Sequence, residues 1–144
     1  MGLVMALFGA AHPTRRGGIW RLLTVVLGES SVLLPDLVYV SRERRQIVSD
    51  IGIRGAPDLI AEIVSPGSAT IDRVLKRNLY ATYGVKYYWI IEPLAEWIRA
   101  YELGADGLYE LVAEAHGNET FSAPPFADLQ ISLADLWADP MAGN

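Results

Sequence analysis

The chain has 144 residues, 51% apolar and 20% charged, with no cysteine and two histidines. This describes one globular domain with room for a core and excludes disulfides and thiolate metal sites. His12 and His116 are too few and too far apart for a histidine-based zinc motif. The net charge of −5 is unevenly spread: residues 1–99 hold all 12 Lys+Arg against 9 acids, and residues 100–144 hold 8 acids and no base. A polyanion must therefore approach through the first two-thirds of the chain, and the overall sign argues against a tight, non-specific nucleic-acid binder.

The opening Met1–Ala11 is apolar but short, and its basic pair Arg15-Arg16 follows the run, opposite to the order in a signal peptide. No apolar stretch approaches the roughly 20 residues that span a bilayer, so the expected setting is the cytoplasm. Residues 1–18 read as a loosely held arm. Ile19–Leu27 is apolar and stopped by Gly28, with strand and short helix both open. Val32–Val40 reads as one strand, with Pro35 marking an edge or a bulge. Ser41–Ile51 is arginine-rich and read as helical. Asp58–Val64 reads as a second strand. A helix capped by Ser68 or Thr70 follows, running to about Tyr83 with Ile71, Val74, Leu75, Leu79 and Thr82 at helical spacing and Gly84 as its stop. Val85–Ile91 reads as a buried strand, Trp97–Leu103 and Leu108–Glu114 as a hairpin, and Leu133–Trp137 as a short helix. This order predicts an α/β domain with a mixed central sheet, in which Asp58–Ile91 forms a crossover between parallel strands.

Three residues carry the chemistry: Asp36 in the first apolar run, Glu62 in the second, and Lys76 14 positions further on. An ionised carboxylate inside a core strand costs several kcal/mol unless a counter-charge or a metal meets it. Asp58 and Glu62 share a strand face but stand roughly 13 Å apart at ~3.3 Å per residue, so they cannot chelate one ion. Asp36, on an adjacent strand about 5 Å away, can share one with Glu62. Magnesium takes oxygen ligands and keeps several waters, so the two carboxylates and a main-chain carbonyl, for which Ile63 is the candidate, suffice. Lys76 would then position a water or stabilise charge on phosphorus, with Asp72 at i, i+4 orienting it. The plainer alternative is an ion pair in which Lys76 merely satisfies Glu62 or Asp72. Arg42, Arg44 and Arg45 offer phosphate contacts or simply a wetted surface. Tyr87, Tyr88 and Trp89 read as core. No phosphate-binding glycine loop or nucleophile elbow is present.

Pro35-Asp36 in an apolar strand, Ala56-Pro57-Asp58-Leu-Ile-Ala-Glu62-Ile-Val64-Ser65-Pro66, Asp72-x-x-x-Lys76-Arg77-x-Leu-Tyr80-Ala81 and Tyr83-Gly84-Val85-x-x-Tyr88-Trp89, in this order, resemble the Uma-type restriction endonucleases of the PD-(D/E)xK nuclease-like superfamily. The resemblance implies a restriction-endonuclease-like mixed β-sheet flanked by helices. It also implies a site in which Asp36 and Glu62 bind Mg2+ or Mn2+. The superfamily's lysine stands two residues after the glutamate, a position held here by Val64, so the resemblance assigns that role to Lys76. The likeness runs from about Ser31 to Trp137, and the first thirty residues do not look like the family's N-terminal region. The chain is therefore divided into an atypical arm, 1–30, and a core domain, 31–144. The expected function is metal-dependent endonucleolytic hydrolysis of DNA. The alternative is a catalytically inactive binding or assembly module on the same fold, with the apolar arm serving a homodimer contact.

Overall fold

The computed structural model describes residues 17–21, 23–65 and 70–138. Its chain runs through β1 (Gly17–Arg21), β2 (Val25–Leu27), β3 (Ser31–Leu33) and β4 (Leu37–Ser41). A 3₁₀ turn (Arg42–Ile47) then leads to β5 (Val48–Ser49) and β6 (Gly52–Arg54). After these come β7 (Leu59–Ile63), helix α1 (Thr70–Thr82), β8 (Tyr87–Glu92), and the hairpin of β9 (Trp97–Leu103) and β10 (Tyr109–His116). β11 (Thr120–Phe121), β12 (Ile131–Ser132) and α2 (Leu133–Ala138) close the described chain. Among these residues, a main sheet has the order β1-β4-β7-β8-β9-β10, and a smaller one the order β3-β2-β6-β5.

β7 and β8 are parallel and joined through α1, while β4 pairs antiparallel with β7 and β9 antiparallel with β8. The expected mixed α/β sheet is therefore present, with the two acid-bearing segments side by side. Central strands covered on both faces read as continuous apolar runs, and period-2 alternation divides their side chains between two cores. Leu37, Leu59, Ala61 and Trp89 pack with Phe121, Phe126 and Leu136 from the C-terminal segment. Val38, Ile60, Tyr88 and Ile90 pack on the opposite face with Tyr80 of α1 and with Val25 and Ile53 of the small sheet. Glu62 follows Ala61 by one residue and so belongs to the face under α1.

Helix α1 ends at a left-handed glycine, Gly84, with φ 81°. The amide of Val85 donates to the carbonyl of Tyr80 and that of Gly84 to the carbonyl of Ala81, the paired bonds of a Schellman cap. Because this cap takes the Val85 amide, β8 starts at Tyr87 rather than at Val85.

The sequence-based reading needs correction in several places. The expected strand Val32–Val40 is two strands in two sheets, because Pro35 lacks an amide to donate and disfavours helical or turned backbone before it. Val32 and Leu34, from that expected strand, are 63% and 59% exposed. Ser41–Ile51 forms only a 3₁₀ turn and a two-residue strand. In α1, Val74 and Leu75 are exposed at 39% and 63%, whereas Arg73, Lys76 and Arg77 are half-buried. β1 pairs along β4 and β2 joins the small sheet, so two strands belong to the fold ahead of residue 31. The apolar Met1–Ala11, read as a subunit contact, and the capping residue Ser68 lie outside the described residues. No helix among the described residues is long and apolar enough to cross a membrane.

Candidate active site

Asp36 occupies the break that Pro35 makes just before β4. The β4–β7 ladder ends at Leu37 opposite Ala61, and beyond it the Asp36 carboxylate accepts the Ile63 amide at 2.8 Å. A side chain thus takes over where the backbone rung stops, which fixes the carboxylate against the end of β7.

Glu62 is the buried charged side chain among the described residues, at 7% exposed. Its Oε1 accepts the Tyr80 hydroxyl at 2.6 Å, across from β7 to the C-terminal turn of α1. Burial pushes the Glu62 pKa above its usual value, and the nearby Asp36 carboxylate adds to this; the Tyr80 hydrogen bond and the Lys76 charge oppose it. The Tyr80 phenol is itself raised by burial and by the Glu62 charge, so it stays a neutral donor.

Lys76 lies one helical turn before Tyr80 and pairs with Asp72 at 3.6 Å. Asp72, Lys76 and Tyr80 thus form one i, i+4 stripe of α1, exposed at Asp72 and buried at Tyr80. Asp36, Glu62, Ile63, Lys76 and Asp72 all line a single cavity of about 240 Å³. The expected constellation is therefore brought together at one place. Among the described residues, no group of three or more Asp, Glu, His or Cys side chains could hold a metal ion.

Asp58 has a different role. Its carboxylate accepts the Ser41 amide at 2.6 Å and pairs with Arg44 at 3.3 Å, locking the 3₁₀ turn to the start of β7. That pairing also removes Arg44 from the arginines offered to phosphate. Lys86 is exposed, 5.3 Å from the Tyr87 ring centroid. Tyr80 was missed as a site residue because tyrosine at a helix end reads as core. The available signal was its i+4 relation to Lys76. We expect Tyr80→Phe to cost about 1–3 kcal/mol, the range for leaving a buried hydrogen-bond partner unsatisfied, measured by urea unfolding near neutral pH without divalent ions.

A mixed sheet with a carboxylate pair where β4 meets β7, covered by a lysine-bearing helix, makes this an α/β domain. The chain belongs to the family described as "Uma2: Putative restriction endonuclease", whose profile matches residues 2–134. That match takes in most of the first thirty residues, which the motifs had set apart. The structure is similar to one titled as a "putative nuclease belonging to DUF820" from Anabaena variabilis ATCC 29413. The TM-score is 0.73 at 20% identity, covering 94% of this chain and 76% of that one, a likeness of fold. No curated protein matches the chain.

Proposed function

We propose that the chain is a metal-dependent endonuclease that hydrolyses phosphodiester bonds in DNA, using Asp36, Glu62 and Lys76. The observation that carries this reading is the convergence of these side chains on one cavity, in a chain whose family is described as restriction endonucleases. The donor set suits a hard divalent cation, Mg2+ or Mn2+: two carboxylates side by side, one of them held above its usual pKa by burial. In an extended strand, one residue's amide and carbonyl project to the same edge. The Ile63 amide is bound by Asp36, so the Ile63 carbonyl faces that same side as a third oxygen.

Asp36, Glu62 and the Ile63 carbonyl would hold the ion, which supplies a water of lowered pKa and a counter-charge for phosphorus oxygens. Tyr80 holds Glu62 in its buried rotamer. Lys76, kept in place by Asp72, presents its ammonium to the cavity, where it steadies negative charge developing on phosphate. A homodimer would set two such sites against a duplex.

The test is a cleavage assay on plasmid and oligonucleotide DNA with Mg2+ or Mn2+, run alongside thermal melts in the same ions. Metal at about 100 times its Kd should stabilise the chain by about 2.7 kcal/mol, and DNA should be cut only when metal is present. The absence of both cleavage and a stability gain would sink the proposal and favour a binding or assembly module that keeps the fold.

A further inference from the structure

A second cavity of about 320 Å³ lies beside the first, and Arg73 lines both. Its size is at the lower end of the range for small-ligand sites, about 300–1,000 Å³. Three arginines reach it, Arg73 and Arg77 from α1 and Arg99 from β9, together with Glu92, Trp97 and Tyr101. Arg99 is already engaged: it pairs with Glu114 at 3.2 Å and its guanidinium carbon lies 4.3 Å from the Trp97 ring centroid. Arg73 and Arg77 differ. Among the described residues neither is in an ion pair, with Glu92 or any other carboxylate. The Arg73 Nε is buried and has no hydrogen-bond partner.

A buried donor left without a partner costs about 1–3 kcal/mol, more when charged. Helix α1 nevertheless turns these two arginines toward the sheet and leaves Val74 and Leu75 in solvent. Both share the cavity with Ile90, Glu92 and Tyr101 of the sheet, so they lie over its face. Positive charge gathered in a concave wall, outnumbering its single unpaired carboxylate, is a site for an anion, and the planar guanidinium fork matches phosphate. Because Arg73 is a wall common to both cavities, an anion here would sit next to a phosphate held at Asp36, Glu62 and Lys76.

We infer that the Arg73–Arg77 pocket binds a second phosphate of the nucleic-acid strand, the diester neighbouring the one presented to the carboxylates. The identity of the polymer rests on the nuclease reading; the anion site rests on the unpaired arginines.

The test is binding, measured apart from cleavage. Anisotropy of a short, fluorescently labelled single-stranded oligodeoxynucleotide in EDTA is followed against salt for wild type, Arg77→Gln and Arg77→Met. The two variants remove the charge with different side chains, so either one that melts like wild type serves. We expect about tenfold weaker binding and a slope of log K against log salt shallower by about 0.7, one single-strand phosphate contact. Unchanged affinity and slope in a folded variant would overturn the inference, as would a wild type that binds no oligonucleotide. Binding that requires a terminal phosphate would overturn the neighbouring-diester assignment. If wild type cleaves DNA with metal but the Arg77 variants bind unchanged, the pocket falls and the nuclease reading stands. If the slope changes but no metal supports cleavage, the reverse holds.

Discussion

Glu62→Gln is expected to abolish metal-dependent cleavage and, in EDTA, to make the chain more stable than wild type near neutral pH. The carboxylate is held above its usual 4.5 chiefly by burial, so the folded state prefers it protonated. Its stabilising contribution is complete below pH 4.5 and is lost as the pH rises through the higher folded-state value. Glutamine is neutral throughout and can still accept the Tyr80 hydroxyl, so it escapes that loss. The gain should therefore widen from about pH 4.5 upward, read as a growing difference in Tm between the two proteins. Adding Mg2+ or Mn2+ should reverse the order, because only wild type gains from the ion. Thermal melts across pH, with and without metal, check this. Parallel profiles for the two proteins in EDTA would mean that Glu62 carries no strained charge.

Lys76→Ala is expected to slow single-turnover cleavage by about 10²–10³-fold, the usual cost of removing one group that steadies transition-state charge. Its effect on stability should be small. The pair with Asp72 is a helix-surface bridge at 3.6 Å with both partners substantially exposed, and such pairs contribute about 0–1 kcal/mol. The loss should fall on the rate at saturating metal and DNA, and Lys76→Arg should restore part of it. A rate within a few-fold of wild type would return Lys76 to the plain role of partner to Asp72.

Much of the site was legible because burying charge is costly. Two carboxylates in apolar runs needed a reason, and spacing along a strand excluded Asp58 before any geometry was known. The same logic failed on the strand that carries Asp36. Alternation was extended through Pro35, whereas the chain leaves one sheet and enters another there, and Asp36 reaches Ile63 from the break. It failed again on α1. Apolar residues were assumed to face inward, yet Val74 and Leu75 face water and Arg73, Lys76 and Arg77 face the sheet. Periodicity finds a helix, but its inward face is set by what the neighbouring strands present, here Glu62. The two arginines went unread for that reason.

The meeting of Leu37 with Ala61 has a wider consequence. Consecutive strand positions point to opposite sides, so sliding β4 one step along β7 would swing the Asp36 carboxylate away from Glu62 and put Leu37 in its place. The acids are aimed by strand registry, not by a flexible segment that could readjust. Substitutions at Tyr39 that loosen this pairing should, on the proposed reading, lower cleavage while leaving Asp36, Glu62 and Lys76 in the sequence.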